Sequence, residues 1–524
     1  MDKELGLILL LVLLHCHKSN TDSQITCPYR CHCFTPGQVL CADGGLSYLP
    51  RNMSRKVKDF IIMSSDLQYL FAHTLEDSPQ LIKLIFLNNA LQSVHSQAFV
   101  DLVELQELEI SGNPGLQHLF PETFVKQENL TKLMLNFNRF KTVPPGMFDQ
   151  LKQLETLQMK ANIITHLPTS LFLNLHNLRV LDLSQNKLEE VKRETFSGLA
   201  RLETLKINNN LISNLTSDTF HNISQLIELH LEGNKISELA DSIFFMLTKL
   251  KVLNLRGNLL TAFSDKVFGF EASNLIELNL KGNRLRELSS LSSLTCLSDL
   301  ILSFNHLTNL PGDIFRNVTA LENLDLSENQ LTSLPETIFS NLFGIKTIHL
   351  NKNNLIKVDA KLFEDQALIQ QLYLSDNQLE TLPVGLLDHF AIQHTVRLHG
   401  NPWKCDCHMW YLHDWVVSNS QDIEMLDRML CESPGFLRRR PVASIDKDQL
   451  VCQLSKDEMV DLSICSQVVF NDTVIINCKV DKCSTLTVKV QFQENDGSIK
   501  EQIFKSEPDH SHCSKETVIE SPIQ

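Results

Sequence analysis

The stretch Leu178-Arg-Val-Leu181-Asp-Leu183-Ser-Gln-Asn186 decides how this chain folds. It reads L-x-x-L-x-L-x-x-N, and Leu188 and Phe196 continue the apolar pattern behind it. Its closing asparagine recurs at Asn89, Asn113, Asn138, Asn162, Asn186, Asn210, Asn234, Asn258, Asn283, Asn305, Asn329, Asn353, Asn377 and Asn401. Ten of the thirteen spacings are 24 residues. A fixed period of this size makes each repeat one coil of a solenoid, which buries its apolar face against the coils on either side. A chain of 524 residues built this way needs no division into several globular cores.

Within each phrase the leucines flank a short strand and point inward. The Asn side chain satisfies backbone groups in the turn that follows. An unpaired polar group buried there costs about 1–3 kcal/mol, so the position accepts few other residues. The second half of each coil supplies an aromatic spine at Phe99, Phe124, Phe148, Phe172, Phe196, Phe220, Phe244, Phe268, Phe315, Phe339 and Phe363. Pro144, Pro168, Pro311, Pro335 and Pro383 each follow a ladder Asn by six residues. There they end strand extension and start the outer half of the coil. The phrases begin weakly at Val57, Phe60 and Ile62, with Ser65 in place of Asn, and residues 57–398 give about fourteen coils. One coil, Asn283 to Asn305, has 22 residues and no Phe. Cys296 within it, beside core position Leu297, is expected to be a buried, unpaired thiol acting as a small hydrophobe.

Phrase and period together resemble the leucine-rich-repeat family: an α/β repeat solenoid, or horseshoe, with a parallel concave β-sheet. With strands about 4.8 Å apart, the stacked phrases give a concave face of roughly 70 Å, which suits a protein partner better than a small molecule. Residues between the leucines line this face. The expected partner contacts lie between about residues 130 and 350: Lys132, Phe137, Lys160, Lys206, Glu228, His230, Glu232, Arg256, Lys281 and Phe304. Their charges are mixed and no apolar stripe dominates.

The ends carry different signals. Leu5 to Leu14 is an apolar run too short to span a bilayer and suited to a signal peptide over residues 1–20, cut between Cys16 and Gln24. No later stretch reaches the length of a membrane span, so the mature chain is expected to be secreted. Asn52, Asn129, Asn214, Asn222, Asn317 and Asn471 lie in glycan acceptor sequences, none within a strand phrase. Apart from Cys16 and Cys296, the fourteen cysteines fall in three clusters, as in an oxidising compartment. Cys27, Cys31, Cys33 and Cys41 form an N-terminal cysteine-rich cap (27–56), with a zinc site as the rival reading. Asn401-Pro-Trp-Lys-Cys405-Asp-Cys407-His408, with Cys431 and Cys452, forms a C-terminal cap (399–454), with a helix-like stretch from His408 to Val417. Residues 455–524 form a small β-rich tail. Its expected strands are Val468–Phe470, Val474–Ile476, Leu486–Phe492 and Ile503–Phe504. Cys465, Cys478, Cys483 and Cys513 could bridge in three ways.

These features resemble the carboxypeptidase N regulatory-subunit family. The resemblance rests on Cys27-Pro-Tyr-Arg-Cys-His-Cys33, Lys132-Leu-Met-Leu-Asn-Phe-Asn138, the cap motif from Asn401 to His408, Asp448-Gln-Leu-Val-Cys452 and the cysteine spacing of the tail. The cap resemblance implies the disulfides Cys27–Cys33, Cys31–Cys41, Cys405–Cys431 and Cys407–Cys452. The family resemblance implies a plasma glycoprotein that is not itself an enzyme. It would bind and stabilise a catalytic zinc carboxypeptidase that removes C-terminal Lys or Arg, two copies of each per complex. Alternative readings are a secreted matrix protein holding collagen or a growth factor, and a soluble innate-immune recognition protein.

The residues themselves give no catalytic set and call for no cofactor. His73-Thr-Leu-Glu76 fits an H-x-x-E zinc pair formally, but Leu75 takes a core position and one such match among 19 His is unremarkable. No H-E-x-x-H, G-x-S-x-G or phosphate-cradling glycine loop occurs. A net charge of −15 argues against a general nucleic-acid binder. Arg438-Arg-Arg440 reads as a solvated loop, with heparin contact or proteolytic nicking as the other readings.

Overall fold

The computed structural model describes residues 27–35, 37–51 and 53–452, together with the backbone of five strands between residues 465 and 522. The expected leader, Cys16, Asn52, Asn471 and the side chains of Cys465, Cys478, Cys483 and Cys513 lie outside the described residues. The chain divides into two compact units. One runs to Asn377 and adds Gly385–Val396; the other joins Gln378–Val384 to the residues from Arg397 onward.

The first unit is a leucine-rich-repeat solenoid. It opens with an antiparallel pair, Cys31–Thr35 with Gln38–Cys41, and Gln38–Cys41 then lies parallel to Asp59–Met63. From there successive strands run parallel, one per coil, through Lys83–Leu87, Glu107–Ser111 and Lys132–Met134 as far as Gln371–Tyr373. Register is the same in every coil: Leu181 lies beside Leu157 on one side and Leu205 on the other. Most strands alternate, the central leucine fully buried and its flanking residues part-exposed, as side chains on opposite faces of a sheet must; Met134, Asp182 and Tyr373 are flanking residues that are buried as well.

The Asn ladder holds these turns. Asn210 donates through Nδ2 to Leu183 O and Ile207 O, both at 3.1 Å, and its Oδ1 accepts the backbone N–H of Leu188 at 2.9 Å. The same pattern recurs at Asn186, Asn234 and Asn353. At the weak first phrase Ser65 takes the ladder place. Its hydroxyl donates to Asn89 Oδ1 at 2.7 Å, so a shorter side chain still reaches the next rung.

The phenylalanine spine is buried along its length. Neighbouring rings lie 5.6–6.5 Å apart, as at Phe220–Phe244 (5.8 Å) and Phe339–Phe363 (5.8 Å). Pro144, Pro168, Pro311 and Pro335 each start a turn by accepting the N–H three residues on. In the short coil Leu291 and Leu294 fill the core where no Phe stands. Asp265, from the preceding coil, staples it. This buried carboxylate accepts Ser293 N at 2.7 Å and Ser292 Oγ at 3.2 Å. Cys296 corrects the expectation of a buried thiol, for it is exposed and free. Leu294 and Leu297 occupy the two inward places of that turn, which leaves Thr295 and Cys296 to face out.

In the second unit Asn401 accepts Leu379 N at 3.1 Å and donates to Leu398 O, and Trp403 Nε1 donates to the same carbonyl. Asp406 caps the turn that follows by accepting the N–H of His408. The helix Trp410–Ser418 then buries Leu412, His413, Trp415 and Val416. The tail contains the strands Cys465–Phe470, Thr473–Cys478, Leu486–Gln493 and Ile499–Ser506. A further strand, Thr517–Pro522, pairs antiparallel with Thr473–Cys478.

Candidate protein-binding face

Between the buried leucines every strand of the first unit turns two residues outward. The residue just before each ladder Asn adds a third. That residue adopts left-handed backbone throughout: Ser64, Asn88, Gly112, Phe137, Ala161, Gln185, Asn209, Gly233, Gly257, Gly282, Phe304, Glu328, Lys352 and Asp376 have φ between 52° and 72°. Glycine takes this conformation freely, whereas other residues pay roughly 1–2 kcal/mol. Phe137 and Phe304 are therefore unusual. Both are bulky, both hold this conformation, and both stay about half exposed at 48% and 46%. Each ring also has a lysine over it, Lys160 Nζ 5.5 Å from the Phe137 centroid and Lys281 Nζ 4.8 Å from that of Phe304.

Charge is organised by coil. At the N-terminal end Glu107 pairs with Lys83 at 3.1 Å and Lys132 at 3.3 Å. Burial pushes the neighbouring Glu109 carboxyl above its ordinary range, outweighing the Ser111 hydroxyl and Lys132, which pull the other way. In the middle, His230 lies between two carboxylates, 3.4 Å from Glu228 and 3.8 Å from Glu232. Lys206 and Arg256, in the coils on either side, have no carboxylate within ion-pair distance among the described residues. Further on, Lys346–Glu322 and Lys352–Glu328 are paired, both at 2.6 Å, and His349 stacks on Tyr373. The sequence-expected contacts thus share one face. Within it Lys132 is neutralised, while Lys160, Lys206, Arg256 and Lys281 have no ion pair among the described residues.

Other sequence-marked residues lie elsewhere. Asn129, Asn214, Asn222 and Asn317 sit in turns or at coil edges outside the main-sheet strands, Asn222 half-buried and the others exposed. His73 Nδ1 meets Asp101 Oδ2 at 2.9 Å, a hydrogen bond at the surface. The structure contains the disulfides Cys27–Cys33 and Cys31–Cys41 in the first unit, and Cys405–Cys431 and Cys407–Cys452 in the second. Arg438 pairs with Glu432, and Arg440 donates to Gln449 at 3.0 Å. Two features escape a reading by residue type: the left-handed column and the Asp265 staple. The glycines at 112, 233, 257 and 282 were the visible trace of the first.

Comparison with known proteins fixes the family. The leucine rich repeat model matches eight stretches that together cover residues 55 to 355. The chain belongs to the leucine-rich-repeat family. It is also similar to human carboxypeptidase N subunit 2, 36% identical over 69 residues, covering 12% of each chain. To the mouse protein of the same name it is 32% identical over 139 residues, covering 22% of this chain and 25% of that one. The matched part thus spans a quarter or less of these relatives. Among solved structures, a leucine-rich-repeat protein of Leptospira interrogans superposes with a TM-score of 0.64 at 27% identity, over 73% of this chain and 94% of that one. No helix among the described residues is long and apolar enough to cross a membrane.

Proposed function

We propose that this chain is a secreted, glycosylated, noncatalytic regulatory subunit. It binds and stabilises a zinc carboxypeptidase that removes C-terminal Lys or Arg, and keeps it in circulation as a complex of two copies of each. The likeness to carboxypeptidase N subunit 2 carries this reading. In it the residues before about 20 are a leader, the cysteine clusters cap the array, and the partner sits on the face from Lys132 to Phe304. Phe137 and Phe304 support that placement. Both rings stand half exposed at their strip positions, so a partner that covered them would remove apolar surface from water.

The test mixes the purified chain with a catalytic carboxypeptidase of this specificity. Co-elution and a longer half-life of the enzyme on warming are expected. The chain alone should hydrolyse no peptide ending in Arg. The double variant Phe137→Ala/Phe304→Ala should weaken association at least tenfold. Loss of association only on removing residues 455–524 would move the contact to the tail, and absence of any association would overturn the reading.

A further inference from the structure

We propose that the C-terminal cap contains a latent site for a thiophilic divalent cation such as Zn²⁺, built from Asp406, Cys407, His408 and Cys452 and opened when the Cys407–Cys452 disulfide is reduced. One ligand atom from each of these residues lies within 4.8 Å of the other three, the one such group among the described residues. His408 Nδ1 is 3.0 Å from Asp406 Oδ1, 3.5 Å from Cys452 Sγ and 3.9 Å from Cys407 Sγ. A tetrahedral zinc site, with bonds of about 2.0 Å to nitrogen or oxygen and 2.3 Å to sulfur, has N···O edges near 3.3 Å and N···S edges near 3.6 Å. Three edges of the tetrahedron that meet at His408 are therefore close to their final lengths. Reduction must lengthen the edge between the sulfurs, which have to part to about 3.8 Å, and the Asp406 oxygen lies within 4.8 Å of both.

The surroundings suit such a site. Asp406 is held in place because it accepts the backbone N–H of His408 at 3.0 Å. Two thiolates and a carboxylate on a divalent ion leave one negative charge, and Lys404 Nζ, 3.2 Å from an Asp406 oxygen, offsets it. Access differs between the two disulfides of the cap. Cys405 and Cys431 are buried, whereas Cys407 and Cys452 are half-buried beside an exposed His408. A thiol reductant reaches the second pair first. The chemistry balances simply. A dithiol gives two electrons and two protons to the disulfide and closes to its own cyclic disulfide. Zn²⁺ then displaces the two thiol protons, and His408 ligates through the lone pair of a neutral ring. Under oxidising conditions the bond excludes the metal; under reducing conditions the metal holds the same two cysteines together.

The full-length chain, oxidised and after mild reduction by a phosphine, is titrated with Co²⁺ and then Zn²⁺. The reduced chain is expected to take up cobalt with the visible bands of a tetrahedral thiolate site, and Zn²⁺ should displace it. The oxidised chain should show neither. His408→Ala leaves the disulfide intact and should weaken uptake at this site by ten- to a hundredfold. Alkylation mapped by mass spectrometry separates this site from the other cysteines, because Zn²⁺ should protect Cys407 and Cys452 together and His408→Ala should abolish that protection. Equal alkylation of the two cysteines with and without Zn²⁺, or protection unaffected by His408→Ala, overturns the proposal.

Discussion

Two columns of residues run side by side through the repeats of the first unit and obey opposite rules. The ladder position holds asparagine in every coil from Asn89 to Asn377. The position just before it holds serine, glycine, phenylalanine, alanine, glutamine, glutamate, lysine, asparagine or aspartate, yet its backbone is left-handed in each of them. One column fixes chemistry and the other fixes only conformation. A buried hydrogen-bond requirement selects a residue type. A conformational requirement met at an exposed edge costs little enough for the residue to be chosen on other grounds. The array therefore has a strip whose residue types are free to vary, held in one conformation beside a neighbour whose type is not.

The largest contrast tests burial against exposure. Phe220→Ala, in the spine, should cost about 3–5 kcal/mol in denaturant unfolding. Phe304→Ala, on the strip, should fall within about 0.5 kcal/mol of the parent. A comparable loss at both would mean that the strip is structural after all. Next in size, Asn210→Ala should cost about 2–3 kcal/mol, because it strands two buried carbonyls and an amide. Its neighbour Asn209→Gly should move stability by no more than about 1 kcal/mol, since φ at this position suits glycine. Thermal unfolding of both variants decides whether the two columns differ as described.

Phe304→Gly sharpens the comparison further. Relief of left-handed strain offsets the added freedom of the unfolded chain, so stability should stay level or rise by at most about 1 kcal/mol. Association with a catalytic partner, measured by calorimetry, should nevertheless weaken. The smallest effect concerns pH. Burial raises the Glu109 carboxyl in the folded chain, so folding favours the protonated form. The resulting penalty is fully present above the folded pKa and disappears as pH falls below the ordinary glutamate value of about 4.3. Glu109→Gln should therefore unfold at a higher temperature than the parent at neutral pH, and the gap should close on acidification.

The sequence displays most of the fold because the fold is a repeated solution to one problem. The leucine phrase, the ladder Asn and the spine Phe each answer to burial, which residue type reports directly. Placement of Lys132, Lys206, Glu228 and His230 on one face follows from the two-residue alternation of a strand. What residue type does not report is pairing across coils. Lys132 and Lys206 look alike in sequence, and only the stacking places Glu107 beside the first. Cys296 was misjudged because adjacency to a core leucine in sequence is not adjacency in space when the turn points outward. The strand Thr517–Pro522 leaves little trace in the sequence because only Val518 and Ile519 are apolar in it and it ends in proline, and its pairing with Thr473–Cys478 comes from a distant segment.

Each ladder Asn completes the coil before its own. Asn210 supplies the acceptor for Leu188 N and the donor for Leu183 O, both 22 or more residues earlier. On a ribosome, the coil that has just emerged therefore still has open polar groups until the asparagine of its successor follows it out of the exit tunnel. Folding during synthesis should then advance from the N-terminus with a lag of one coil. A stalled nascent chain should accordingly protect every coil from protease except its last.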